Sequence, residues 1–210
     1  MNGFAVRFAA LVLSSALFLS IRALAGEHPA AEHPGAPSPE EMTKMMEKWT
    51  KVASPSEHHK HLDAFVGKWD TVQRMWMGGP DSPPTETKGT SEVKWVLDGR
   101  FIMEEHKGES MGELYEGIGL FGYDNFRNMY VGTWASNQGT NLFTMAGQRD
   151  PSGKTWTYYG ELDEPMLDVH ARMVKCETIV ESPDAHTFAI YDLHAGGDYK
   201  VVEMTYTRAK

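Results

Sequence analysis

Apolar and polar residues alternate with a period of two from Gly67 to the end of the chain, and turn-forming residues interrupt the pattern about every eight to twelve positions. Residues 85–96, TETKGTSEVKWV, show the alternation best, because the charged residues lie on one face while Val93 and Trp95 lie on the other. Turn sequences such as LDG, YDNFRN, SNQG and RDPSGK separate the alternating segments. The pattern predicts about ten antiparallel strands.

A meander of short antiparallel strands has two open edges unless it closes into a barrel or folds over as a sandwich. The segment EGIGLFGYD, residues 116–124, favours closure, since glycines inside a strand permit the sharp bends of a barrel corner. The predicted fold class is therefore all-β, an antiparallel closed β-barrel of about ten strands. The predicted barrel domain covers residues 56–210.

The segment before the barrel domain has the features of a tether followed by a helix. Residues 26–38 are rich in Pro and Ala and predict a flexible tether. The sequence from Ser38 to Glu41 is typical of a capped helix start. A short amphipathic helix is predicted over residues 39–54, packed on the barrel or across one of its ends, because four apolar side chains recur at helical spacing: Met42, Met45, Met46 and Trp49.

The first residues of the chain have the pattern of a secretory signal peptide. Arg7 precedes an apolar run over residues 8–21, and Ala23-Leu24-Ala25 fits a signal-peptidase cleavage site. A membrane helix is the alternative, but the run is shorter than the roughly 20 residues that a bilayer core needs. Residues 1–25 therefore predict a signal peptide, and the mature chain is expected to be exported to the periplasm or the outside medium, without a membrane span.

Charge and cysteine content exclude several classes of partner and stabilisation. The chain has 29 acidic against 20 basic residues, a net charge of -9, so it has no basic surface for nucleic acid or an anionic membrane. Cys176 is the only cysteine, so no intramolecular disulfide can form even in an oxidising compartment. The core must be stable through packing alone. The oligomeric state is left open.

The segment FVGKWD, residues 65–70, precedes and opens the first predicted strand. Gly67 lets the chain turn sharply into the barrel, and Trp69 is expected to point inward and close its floor. In a closed barrel the first and last strands are neighbours, and the last predicted strand ends at Arg208. We expect the guanidinium of Arg208 to cover the indole of Trp69 in a cation–π contact.

A G-x-W at the first strand with an arginine on the last resembles the calycin superfamily of lipocalin-like barrels. The segments HLDAFVGKWD, KGTSEVKWVLDGRFIMEEHKG, YEGIGLFGYDNFRNMYVGTW and VVEMTYTR also resemble the bacterial family called domain of unknown function 1579. This resemblance covers residues 58–208. It implies a barrel fold and an exported location, and it provides no catalytic residue for this chain.

The predicted barrel can enclose one small molecule, so inward-facing aromatic and polar residues are the candidate lining. We expect a pocket for a small hydrophobic or amphipathic molecule, without a cofactor. By strand parity the pocket candidates are Trp95, Tyr123, Trp134, Tyr158, Glu105 and His106.

Two other functions stay open at this stage. A periplasmic metal-binding protein would use His28, which follows the predicted cleavage site, together with His58 and His61 of the HHKH segment. An enzyme with its site in the barrel is less favoured, because the sequence contains no G-x-S-x-G, H-E-x-x-H or catalytic cysteine signature.

Overall fold

A computed structural model describes residues 37–79, 81–195 and 199–210. The predicted signal peptide, most of the predicted tether and His28 lie outside these residues. The described chain begins with helix α1, Pro39–Ala53, followed by the short helix α2, Glu57–Lys60, and a 3-10 turn, His61–Phe65. Within the described ranges, no helix is both long enough and apolar enough to cross a membrane.

Ten strands follow in an up-and-down order, each paired antiparallel with its neighbours in sequence. Strand β1 also pairs with β10, so the sheet closes and the predicted barrel is confirmed rather than the sandwich. A further 3-10 turn, Pro165–Leu167, joins β7 to β8. The strands are β1 Gly67–Met75, β2 Thr85–Val96, β3 Phe101–Ser110, β4 Glu113–Asp124, β5 Met129–Ser136, β6 Phe143–Arg149, β7 Thr155–Glu164, β8 Val169–Ser182, β9 Ala185–Asp192 and β10 Tyr199–Arg208.

The barrel has two different ends, because successive connections of an antiparallel meander alternate between them. We call the end at which β1 begins the floor and the opposite end the mouth. The 3-10 turn closes the floor, where Leu62 is 1% and Phe65 8% exposed. The indole Nε1 of Trp69 donates a hydrogen bond of 2.8 Å to the carbonyl of Phe65, which fixes this turn to β1.

The seam between the first and last strands has the predicted closure geometry. Trp69 and Arg208 are directly opposite each other in the β1–β10 register. The guanidinium carbon of Arg208 lies 4.2 Å from the centroid of the Trp69 ring. Gly67 has φ +140°, and a Cβ there would collide with Nη1 of Arg208. The chain thus has the barrel closure that its G-x-W and final arginine predict.

Burial alternates along the strands as the period of two requires. On β3, Ile102, Glu104 and His106 are buried, whereas the intervening residues are partly or fully exposed. The glycines of β4 were predicted to permit bends at a barrel corner, and the structure shows another role for them. A Cβ at Gly119 would lie 2.8 Å from Cε3 of Trp134. These glycines therefore leave room for large rings inside the barrel.

Helix α1 forms as predicted, but its apolar stripe is not covered. Met45 is 56%, Met46 49% and Trp49 65% exposed, and no residue of the helix is buried. The expectation that the stripe packs on the barrel is corrected. The end of the helix is held through its backbone instead. Asn125 Nδ2 donates hydrogen bonds to the carbonyls of Val52, in the last turn of the helix, and of Ser54, just after it.

Candidate functional site

The barrel encloses a cavity of about 380 Å³ that extends from the floor to the mouth. Leu62 and Phe65 form its base. Its upper part contains polar groups among apolar ones, including Gln73, Ser110 and Gln138. Most of the lining is apolar, with Ile102, Phe121, Trp134, Phe143, Met145 and Met204 among its members.

Aromatic rings form a large part of the wall. The indole Nε1 of Trp134 donates a hydrogen bond of 2.8 Å to the hydroxyl of Tyr115, which fixes the orientation of both rings. Tyr158 is 4% exposed, and burial raises the pKa of its hydroxyl, so that the group is neutral at all ordinary pH values. Rigid rings with few free polar atoms give the cavity a fixed apolar surface.

Glu104 is the acidic side chain that lines this cavity. Its Oε1 accepts hydrogen bonds from the hydroxyl of Ser91 at 2.6 Å and from the hydroxyl of Tyr206 at 3.1 Å. Burial raises the pKa of the Glu104 carboxyl, and it outweighs the two hydrogen bonds, which lower it. Among the described residues, no positively charged side chain contributes to this shift. The apolar wall around Glu104 therefore favours the neutral form of its carboxyl group.

His186 lies near the floor and stacks on Tyr206, a hydrogen-bond partner of Glu104. Its ring stacks on Tyr206 with centroids 4.2 Å apart and meets the Trp69 ring edge to face at 4.5 Å. Burial, assisted by the charge of Arg208, lowers the pKa of His186 to about 3. Its Nδ1 has no hydrogen-bond partner among the described residues. The ring is thus neutral and packs as an aromatic side chain.

The mouth is surrounded by exposed apolar side chains. Met111, in the β3–β4 turn, is 73% exposed and also lines the cavity. The other connections at this end carry further exposed apolar residues, namely Met77, Leu142, Leu167 and Leu193. The entrance therefore has exposed apolar side chains on several sides.

The structure places the six pocket candidates in different surroundings. Trp134 and Tyr158 line the cavity. His106 faces inward and is 3% exposed, but it lies within the wall, outside the cavity lining. Burial lowers the pKa of His106.

The other three candidates lie away from the cavity lining. The indole of Trp95 donates a hydrogen bond of 2.8 Å to Oδ1 of Asp63. The Tyr123 ring stacks on His58 with centroids 4.3 Å apart. Glu105 lies on the outer face, where its Oε2 is 3.4 Å from Nζ of Lys94.

Sequence reasoning missed the residue with the clearest chemistry in the cavity. Adjacent strand residues point to opposite faces, so Glu104 and the predicted pocket candidate Glu105 cannot both face the cavity. The useful signal was the parity of Glu104 with Ile102 and His106, which places all three on one face of β3. Its acceptance of hydrogen bonds from Ser91 and Tyr206 could not be predicted, because that contact joins three separate strands.

The histidines of the HHKH segment pack against neighbouring aromatic rings. His61 Nδ1 lies 2.7 Å from the Tyr130 hydroxyl, and the His58 and His61 rings meet edge to face with centroids 5.7 Å apart. In the part of the chain that the structure describes, no group of three or more potential metal ligands comes together. His28 lies outside that part.

Comparison with known proteins identifies a family and distant barrel structures. Residues 54–208 match the family described as "Protein of unknown function (DUF1579)". No curated protein sequence matches the chain. A redesigned β-barrel aligns at 12% identity over 71% of this chain and 96% of its own, with a TM-score of 0.39. An S-type phycobiliprotein lyase from Guillardia theta aligns at 12% identity over 77% and 98%, with a TM-score of 0.47.

Proposed function

The chain belongs to the DUF1579 family of unknown function, and we propose that its barrel binds a small hydrophobic or amphipathic molecule. The observation that carries this proposal is the cavity of about 380 Å³, closed at the floor and lined mainly by apolar side chains. Ligand pockets of proteins occupy about 300 to 1,000 Å³ and have the same mixture of apolar walls and few polar groups. A filled structural core would not leave such a volume.

The protonation states of the lining support an uncharged or weakly polar ligand over a highly charged one. Burial disfavours the charged forms of both Glu104 and His186. Placing an ion in the cavity would require its hydration shell to be removed without a compensating charge. The apolar side chains around the mouth provide a matching entry path.

The test is to purify the chain under non-denaturing conditions and to analyse the released small molecules by mass spectrometry. Ser136 lines the cavity, whereas Ser152 is exposed in the β6–β7 turn. Wild type and Ser152→Trp should release the same organic molecule in stoichiometric amount, and Ser136→Trp should release much less, because the indole occupies the cavity. Equal recovery from all three proteins, or none from wild type, would contradict the proposal.

We also propose that the mature chain is exported. This proposal is based on three features of the sequence: Arg7, the apolar run over residues 8–21, and the cleavage pattern Ala23-Leu24-Ala25. Expressed with its full N-terminal sequence in a bacterial host, the protein should be recovered from the periplasm or medium with an intact mass that begins at Gly26. Recovery in the cytoplasm with residues 1–25 still attached would contradict this location.

A further inference from the structure

The polar contacts around Glu104 distinguish its two carboxyl oxygens. Oε1 accepts two hydrogen bonds, from Ser91 at 2.6 Å and Tyr206 at 3.1 Å. A hydroxyl has one proton to donate, so both neighbouring hydroxyls have used theirs on the same oxygen. In the neutral form that burial favours, Oε1 is thereby the carbonyl oxygen of the acid and Oε2 carries the proton. No described residue forms a hydrogen bond with Oε2.

This acid is placed where a ligand would meet it. Glu104 lines the cavity and lies in the half of β3 nearer the floor, beyond the polar groups of the mouth. Its residue is 8% exposed, and Ile102 and Tyr206 line the same cavity. An O–H donor that faces the cavity without a protein partner is available to a ligand, and a ligand that accepts its hydrogen bond gains affinity.

We propose that the ligand of this cavity carries an uncharged hydrogen-bond acceptor, a ketone, ester or amide carbonyl, which accepts a hydrogen bond from the Glu104 carboxyl group. This inference rests on the proposed function and names the chemical class of the ligand. An amine would be the alternative partner of a carboxyl group. It would require an ionised pair in the apolar wall, and the desolvation of both ions opposes that arrangement.

Three naphthalene probes of nearly equal shape test the proposal: 2-acetylnaphthalene, 1-(2-naphthyl)ethylamine and 2-isopropylnaphthalene. They present a carbonyl, an amine and no polar group to the same position. Affinities are measured by tryptophan quenching and calorimetry at neutral pH for wild type, Glu104→Leu, Glu104→Gln and Glu105→Leu. Glu105 is the matched control, because it is the next residue of β3 and lies on the outer face beside Lys94.

Glu104→Leu should weaken binding of the ketone about tenfold, the effect of one neutral hydrogen bond, and leave the isopropyl probe within about twofold. Glu104→Gln should keep the ketone within about threefold, because its amide can donate in the same place. Glu105→Leu should leave all three affinities unchanged. The carbonyl infrared band of the bound ketone should shift to lower frequency in wild type but not in Glu104→Leu, a change that a merely structural role would not produce.

Two results would overturn the inference while the proposed function stands. In the first, the isopropyl probe binds, and the affinity for the ketone is the same in wild type and in Glu104→Leu. The second is an amine that binds more tightly than the ketone and whose affinity falls at least tenfold in Glu104→Gln. That result would show that an ionised carboxylate binds the cation. If none of the three probes binds the folded wild-type chain, both the inference and the proposed apolar pocket fail.

Discussion

Arg208 covers the indole of Trp69 at the seam where the barrel closes, with its guanidinium carbon 4.2 Å from the ring centroid. The same guanidinium donates hydrogen bonds to the carbonyls of Val66 at 3.2 Å and Pro183 at 2.7 Å. One side chain on β10 thus ties together the segment before β1, the first strand and the β8–β9 turn. The closed floor of the cavity depends on this arrangement.

Replacing Arg208 by leucine should lower the free energy of unfolding by about 2 to 4 kcal/mol, because the cation–π contact and the hydrogen bonds to backbone carbonyls are lost. The matched control is Arg74→Leu. Both arginine side chains are 35% exposed, but Arg74 only forms ion pairs with Glu86 and Glu203 on the outer wall. Its loss should cost about 0 to 1 kcal/mol. If urea unfolding shows equal decreases in the free energy of unfolding for the two variants, the assigned role of Arg208 is contradicted.

Gly67→Ala should destabilise the chain more than Gly112→Ala, although both glycines have positive φ, +140° and +82°. At Gly112 a Cβ meets nothing within 4 Å, so only backbone strain of about 1 to 2 kcal/mol is expected. At Gly67 the Cβ also displaces the Arg208 guanidinium. The part of the excess that comes from this displacement should disappear in the Arg208→Leu background. An excess that is unchanged there would show that Gly67 acts independently of Arg208.

His186→Phe should remove a pH dependence of stability. Burial lowers the folded pKa of His186 to about 3, while the unfolded group titrates near 6.5. Below pH 6.5 the unfolded state binds more protons, so wild type should lose stability relative to the variant, with a slope that approaches about 1.4 kcal/mol per pH unit. Above pH 6.5 the difference should be constant. A flat difference from pH 5 to pH 8 would contradict a neutral buried ring.

Glu104→Gln should show the opposite sign. The pKa of the folded Glu104 is raised above its usual value of 4.5 by burial, so the native state holds a proton that the unfolded state loses. Wild type should therefore lose stability relative to the variant as the pH rises above 4.5, until the folded pKa is passed. As the pH rises above 4.5, the protonated carboxyl band in the infrared spectrum should persist to higher pH in wild type and in Glu105→Gln than in Glu104→Gln.

The strand order and closure could be predicted because each depends on short-range sequence signals. Period-two alternation and turn residues define the strands, and the G-x-W with a final arginine defines the seam. The β3–β4 turn was missed, since Met111 and Gly112 both adopt positive φ, 54° and 82°, and methionine is not a typical turn residue. Only the neighbouring strands require that conformation.

The candidate site was less predictable, because its residues meet across strands that are far apart in sequence. Parity assigned Trp134 and Tyr158 to the inner face, and both line the cavity. Parity could not show that Leu62 and Phe65 of the 3-10 turn close the base of the cavity. It also could not show that the apolar stripe of helix α1, with Met46 and Trp49, stays exposed. Those outcomes depend on which surfaces the folded barrel leaves available.

The most direct test of the binding account is a methyl NMR titration of chain labelled with ¹³C at the methionine methyl groups. Met145 and Met204 line the cavity and are 7% and 8% exposed, whereas Met46 lies on the exposed helix stripe and Met173 is 36% exposed on the wall. On addition of 2-acetylnaphthalene, we expect intermolecular NOEs to Met145 and Met204, saturating at one probe per chain, and none to Met46 or Met173. NOEs only to Met46 or Met173, or none at all, would contradict it.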